Sequence, residues 1–364
     1  MKAGIVGLPN VGKSTLFNCL SNAKAQSANF PFCTIEPNVG IVNVPDPRLL
    51  KLEELVQPQR VLPATVEIVD IAGLVKGASK GEGLGNQFLA NIRETDAIIH
   101  VLRCFENDNI VHVDGSIDQI RDKETIDIEL QLKDMEAVEN RLDRLSRIAR
   151  SGDKAAKREM EILEAIQQHL DEGKSIRSFE LNEEDRNTFL KPLQFITDKP
   201  VMYVCNVDEA SAATGNEYVE KVKEAVAGEG AEVLVLAVAT EADITELETY
   251  EERKMFLDDI GLDEPGSSKL IRKAYKLLNL QTYFTAGVKE VRAWTIPVGA
   301  TAPEAAGVIH SDFEKGFIRA EVIHYEDFVH YGSEAKVKEA GKLGVEGKEY
   351  IVQDGDVVHF RFNV

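Results

Sequence analysis

Cysteine is scarce in this chain of 364 residues. The four present, Cys19, Cys33, Cys104 and Cys205, lie far apart, so they offer neither a C-x-x-C metal pair nor a dense disulfide framework, and a reducing cytosol is the expected setting. Nowhere does the chain hold the ~18 uninterrupted apolar residues of a helical membrane span. Its first residues, Met1-Lys2-Ala3-Gly4-Ile5-Val6-Gly7, enter a strand-like run without an apolar leader and small-residue cleavage site, so no secretion signal is expected. Basic charge is also short. Forty-two Lys plus Arg stand against 62 Asp plus Glu, a net charge of −20, which repels phosphate and excludes indiscriminate nucleic-acid coating. Any nucleic-acid contact must use a local basic patch. What is present is 43% hydrophobic and 29% charged residues, the balance of a soluble globular protein of two or three domains.

Up to residue ~110, apolar β-type runs alternate with glycine-bearing loops and helical stretches, the pattern of βαβ units around a parallel sheet. Strands are expected at Lys2–Val6, Val39–Val44, Val66–Asp70 and Ala97–Arg103. Beyond Thr125, Leu132, Met135, Val138, Leu142, Leu145 and Ile148 recur by threes and fours, which predicts a helix. After the turn signal Ser151-Gly152-Asp153, the stripe Met160, Leu163, Ile166 and Leu170 predicts a second helix ending at Gly173. Strand character returns at Pro200–Asn206 and Val233–Ala239, and helices fill the stretch to ~280. From Gln281 onward short β-type runs, Val291–Ile296, Phe317–Ile323 and Tyr350–Phe362, are separated by turns. The expected architecture is α/β: a parallel-sheet domain of residues 1–125 and 200–280, interrupted by a coiled-coil-like helical hairpin at 126–199 and followed by a small β domain at 281–364.

Gly7-Leu8-Pro9-Asn10-Val11-Gly12-Lys13-Ser14 fits G-x-x-x-x-G-K-[ST] between a strand and a helical run, the context a phosphate-binding loop requires. The glycines let backbone N–H groups curl round a β-phosphate. Lys13 reaches the β/γ oxygens, and the Ser14 hydroxyl is offered to Mg²⁺ at the positive end of the helix. Asn10, Val11, Gly12, Lys13, Ser14 and Thr15 are therefore candidate nucleotide-binding residues. Val66-Glu67-Ile68-Val69-Asp70-Ile71-Ala72-Gly73 ends a strand in D-x-x-G, which assigns Asp70 to the Mg²⁺ shell and the Gly73 amide to the γ-phosphate. The glycine-rich stretch from Leu74 to Gly85 suits a γ-phosphate-sensing switch, or a plain solvated linker.

With these motifs, and with Asn29-Phe30-Pro31-Phe32-Cys33-Thr34-Ile35-Glu36-Pro37-Asn38 and Asn206-Val207-Asp208-Glu209, the sequence resembles the translation-factor-related P-loop NTPases, and among them the Obg-like ATPases of the YchF subfamily. The resemblance covers nearly the whole chain. It implies that the Phe-Pro-Phe segment is switch I, that Thr34 gives a hydroxyl to Mg²⁺, and that the carboxy-terminal part is a TGS-like β-grasp domain. Leu74 stands where Ras-like GTPases place the glutamine that orients the attacking water, so either a partner or another group activates hydrolysis, or backbone and ions align the water. Asn10 holds the position linked in some relatives to a K⁺ ion, and it equally suits an Asn satisfying its own turn.

GTPases read guanine through N-K-x-D, whose aspartate accepts the ring N–H and exocyclic amine; adenine would leave that carboxylate facing a lone pair. Here Asn206 is kept, Val207 replaces the lysine and Glu209 the aspartate, which points to ATP, with GTP left open because a longer carboxylate can still reach guanine. Ala239-Thr240-Glu241 follows the next strand, where relatives contact the base through backbone groups. From Arg141 to Arg158, seven basic residues, Arg141, Arg144, Arg147, Arg150, Lys154, Lys157 and Arg158, face acidic Asp143 and Asp153, a local excess of five. A contact with ribosomal RNA phosphates and a solvated face of intrahelical ion pairs are both open there. The function these features imply is a cytoplasmic Mg²⁺-dependent ATPase switch of translation or stress that binds the ribosome. A GTPase of the same fold and a nucleotide-gated scaffold with incidental hydrolysis are the rivals, and neither a membrane nor DNA is an expected partner.

Overall fold

The computed structural model describes residues 1–22, 39–71, 84–110, 115–150 and 152–363. Thr34 and the Phe-Pro-Phe segment, Cys33, Gly73, Leu74 and most of the glycine-rich stretch lie outside the described residues. Among those described, the chain divides into two compact units, one of 1–22, 39–40 and 67–267, the other of 41–66 and 268–363.

In the first unit, β1 (Lys2–Val6) leads through the glycine-bearing loop into α1 (Lys13–Asn22). Further along the chain come β2 (Val39–Asn43), then α2 (Pro47–Val56) and β3 (Val61–Leu62) of the second unit, then β4 (Thr65–Asp70), α3 (Leu84–Arg93), β5 (Ala97–Arg103), β6 (Val201–Asn206) and β7 (Glu232–Leu236). One sheet has the order β2-β4-β1-β5-β6-β7, and the pairs from β4 to β7 are all parallel. Every residue of β5 and β6 is buried, as the centre of a parallel sheet covered on both faces requires. Leu16 and Leu20 of α1 are fully buried, each worth roughly 1.5–3 kcal/mol, which holds the loop over the carboxyl ends of the strands. That edge of an open α/β sheet is where ligands bind. The expected strand Val233–Ala239 stops at Leu236, because Val238–Glu246 is helical.

On β5, His100 is 2% exposed and its Nε2 has no hydrogen-bond partner among the described residues. Burial pushes its pKa down to about 4; Asp127 opposes that shift, while Lys123 and Arg177 add to it. The helical segment forms α4 (Gln119–Ala149) and α5 (Lys154–Asp171), which start from Asp118 and Asp153 caps and join at Gly152, whose φ of 92° only glycine takes easily. Their shared core holds Val138, Leu145, Leu163, Ile166 and Leu170, with Met135, Leu142 and Met160 packed at its margin. Leu132 and Ile148, expected in the same stripe, are 49% and 50% exposed. No helix among the described residues is long and apolar enough to cross a membrane.

In the second unit, β8 (Leu280–Ala286), β9 (Val291–Pro297), β10 (Phe317–Ile323), β11 (Gly344–Glu346) and β12 (Val357–Phe362) join β3 in a mixed sheet of order β11-β10-β12-β8-β9-β3. The helix Ala302–Ile309 lies close on it because Ala302, Ala305 and Ala306 present no bulk to Tyr283, Phe317 and Phe360. The expected strand Tyr350–Phe362 begins only at Val357. Before it, the buried Asp356 carboxylate accepts from the Tyr350 hydroxyl (2.7 Å) and the Gln353 N–H (2.9 Å), and Gly355 takes φ 93°, which makes a turn.

Candidate functional site

The loop from Gly7 to Ser14 turns through two left-handed residues, Asn10 (φ 65°) and Gly12 (φ 97°). Asn is among the few side-chain-bearing residues that accept this conformation. At Gly12 a Cβ would also collide with the Asn206 amide nitrogen, so glycine is required there twice over. The Leu16 N–H donates to the Gly12 carbonyl at 2.9 Å and opens α1. Asn10, Ser14 and Thr15 are exposed, whereas the Val11 side chain is buried.

Lys13 is 8% exposed, and its Nζ donates to Asp70 Oδ1 at the end of β4. Ser14 Oγ donates to the other carboxylate oxygen at 3.3 Å. The structure thus brings together three residues that the sequence placed 57 and 56 positions apart. A hydroxyl and a carboxylate oxygen side by side are hard donors, the kind a small divalent cation takes while keeping other positions for water or phosphate.

On the base side, the structure gives Asn206 a role that the sequence did not reveal. Its Nδ2 donates to the Val11 carbonyl of the loop (2.9 Å), its Oδ1 accepts the Val238 N–H (3.0 Å), and the side chain is 4% exposed. Rather than standing open toward a base, the carboxamide braces the phosphate loop against the segment after β7. Val207 is 3% exposed, so a contact from that position must come through the backbone, whose N–H is itself given to the Leu236 carbonyl. Asp208 caps the turn that starts at Glu209, accepting the Ser211 N–H at 2.9 Å, and leaves the Glu209 carboxylate exposed.

A family model described as a 50S ribosome-binding GTPase, MMR_HSR1, matches residues 2–140, and one described as YchF-GTPase_C, a protein of unknown function, matches residues 280–363. Along its whole length the chain is similar to the "Ribosome-binding ATPase YchF" of Pasteurella multocida, with 60% identity over 363 residues covering 100% of this chain and 99% of the relative. It is likewise similar to the protein of that name from Bacillus subtilis, at 57% over 366 residues with 100% of both covered. The chain belongs to the YchF family. Among solved structures, the Schizosaccharomyces pombe YchF GTPase superposes with a TM-score of 0.90 at 40% identity, over 99% of this chain and 97% of that one. Its first unit is accordingly an α/β P-loop GTPase fold.

In this YchF chain the basic cluster sits round the tip of the α4–α5 hairpin, and its members divide. Arg141 is bidentate to Glu159 across the hairpin (2.7 and 3.0 Å), which offsets its charge at the surface. Arg158 is taken by Asp185 at 2.7 Å and Glu161 at 3.1 Å. Arg144, Arg147, Arg150, Lys154 and Lys157 are exposed and form no ion pair among the described residues.

Proposed function

We propose that this protein is a cytoplasmic, Mg²⁺-dependent ATPase that binds the ribosome and uses the nucleotide as its switch in translation. The observation that carries the reading is the Gly12–Lys13–Ser14–Asp70 constellation at the carboxyl edge of the parallel sheet. Likeness over the full length to proteins named ribosome-binding ATPases supports it. Lys13 and the loop N–H groups stabilise charge on the β- and γ-phosphates. Ser14, Asp70 and Thr34 would hold the cation, which would neutralise charge on the phosphate oxygens. The Gly73 amide meets the γ-phosphate. Water attacks the γ-phosphorus as its bond to the β,γ-bridging oxygen breaks, so ADP leaves and phosphate and a proton are released; with Leu74 in the glutamine position the step is slow until the ribosome completes the site.

ATP is preferred over GTP because no lysine at Val207 packs along the base and the nearer carboxylate, Asp208, is spent on its own turn. Glu209 alone is left to meet guanine. The hairpin 126–199 is the ribosome-contacting part, through Arg144, Arg147 and Arg150 on ribosomal RNA phosphates, and residues 281–364 form a TGS-like β-grasp domain. Single-turnover hydrolysis of ATP with and without ribosomes tests the reading. Stimulation of turnover by ribosomes is expected. Tight ribosome binding in the ATP state with an unchanged hydrolysis rate would make the protein a nucleotide-gated scaffold instead.

A further inference from the structure

Ala239-Thr240-Glu241 lies in the first turn of the helix Val238–Glu246, and Glu241 is 2% exposed. Its buried carboxylate accepts two backbone N–H groups at the start of the helix Gly266–Leu277, from Gly266 at 2.6 Å and from Ser267 at 3.0 Å. A carboxylate against a helix N-terminus gains from both charge-assisted bonds and the helix dipole. Gly266 makes the approach possible, since a Cβ there would collide with the side chain of Leu236 at the end of β7 and stand 2.9 Å from Glu241 Oε1. One turn before Glu241, the Val238 N–H holds Asn206 Oδ1, and Asn206 Nδ2 holds the Val11 carbonyl. An unbroken series of contacts therefore runs from the Glu241 anchor to the phosphate loop and to the strand end from which residues 206–209 project.

We propose that Glu241 is a positioning residue for the nucleotide. By pinning the helix Val238–Glu246, it sets the place of Asn206, and through Asn206 the phosphate loop and the base-side turn. The inference rests on the nucleotide reading above. Glutamine at this position keeps one acceptor oxygen and can satisfy only one of the two N–H groups, whereas alanine leaves both buried and unpaired.

The test is calorimetric titration of the full chain with Mg²⁺-ATP and Mg²⁺-GTP for wild type, Glu241→Gln, Glu241→Ala and Gly266→Ala. Val226→Ala, a 2% exposed position on the helix Glu217–Val226, serves as a core-destabilising control. Glu241→Ala should weaken ATP binding about tenfold and Glu241→Gln about threefold, with the ATP:GTP affinity ratio falling toward one in the same order. Gly266→Ala, which drives the helix start off the carboxylate, should follow Glu241→Ala and carries the test if that variant does not fold. Val226→Ala should lower the melting temperature and leave the ratio where it was. Glu241 and Gly266 variants that keep the wild-type ratio while losing stability as Val226→Ala does would overturn the positioning role. A wild type that binds neither nucleotide would refute the nucleotide reading, so the two failures are distinct.

Discussion

Replacing Arg144, Arg147 and Arg150 with glutamate reverses three charges at the hairpin tip without removing any side-chain hydrogen bond or ion pair among the described residues. Each phosphate contact releases condensed counterions and steepens the salt dependence of log K by ~0.7 for single strands to ~0.9 for duplex. Three lost contacts should therefore flatten the slope by about 2–3. Over a fourfold rise in salt, from about 50 to about 200 mM, the affinity loss should then be smaller by a factor of about 20–40 for the variant than for wild type. The stability change should be modest. Carboxylates in and just after the last turn of α4 oppose its dipole by about 0.3–1 kcal/mol each, and no buried group loses a partner. The assay is ribosome co-sedimentation at a series of salt concentrations, with ATP affinity measured in parallel and expected to be unchanged. A matched control converts the exposed Lys336, Lys338 and Lys342 of the second unit to glutamate, the same change in net charge at another place. Equal binding by wild type and the arginine variant at every salt concentration would refute the reasoning. So would an equal loss in the lysine control, because net charge alone would then suffice.

Two further perturbations test the first unit. Lys13→Ala removes the cation at the β/γ-phosphate and should weaken ATP binding or turnover about 10- to 150-fold, the worth of a charge-assisted bond of ~1.5–3 kcal/mol, in a chain that still unfolds cooperatively; unchanged single-turnover kinetics would displace the site. His100, with its pKa lowered by burial from the ordinary imidazole value of 6.5 to about 4, takes up a proton more readily unfolded than folded, so its contribution is complete above pH ~6.5 and is lost as pH falls toward 4. Urea denaturation at pH 7 and pH 5 should show wild type losing about 2 kcal/mol more than His100→Leu across that interval, and equal losses would mean that the imidazole is protonated in place.

The phosphate loop was legible in sequence because its chemistry is backbone geometry: the spacing of Gly7, Gly12 and Lys13 is what a chain needs to wrap a phosphate, and Gly12 does take the left-handed conformation. The role of Asn206 was not, since its partners Val11 and Val238 are 195 and 32 residues away and only the register of β1, β6 and β7 sets them beside it. The hairpin followed from the spacing by threes and fours, yet Leu132 and Ile148 at the ends of that stripe face solvent. The stripe's spacings of 3, 3, 4, 3 and 3 average 3.2 residues, short of the 3.6 of a helical turn, so it drifts round the helix and only its middle stays against the partner. Strand β8 escaped notice because Gln281 and Thr282 interrupt its apolar run. Both are buried, Gln281 donating to the Val352 carbonyl at 2.7 Å and the Thr282 hydroxyl hydrogen-bonded to that of Tyr275 at 3.0 Å, partners that no local pattern announces. Arg141 and Arg144 read alike in sequence, and only the packing of α5 shows that Glu159 claims the first.

The central claim is that the loop over the carboxyl edge of the first sheet binds ATP in preference to GTP. Isothermal titration of the full chain with ATP and with GTP, each in Mg²⁺ and repeated on Lys13→Ala, addresses it directly. The account predicts ATP binding tighter than GTP, by about five- to 150-fold for a difference of ~1–3 kcal/mol from one mismatched polar contact, with both weakened in Lys13→Ala. GTP binding ten times tighter than ATP, or wild type and Lys13→Ala titrating alike, would contradict it.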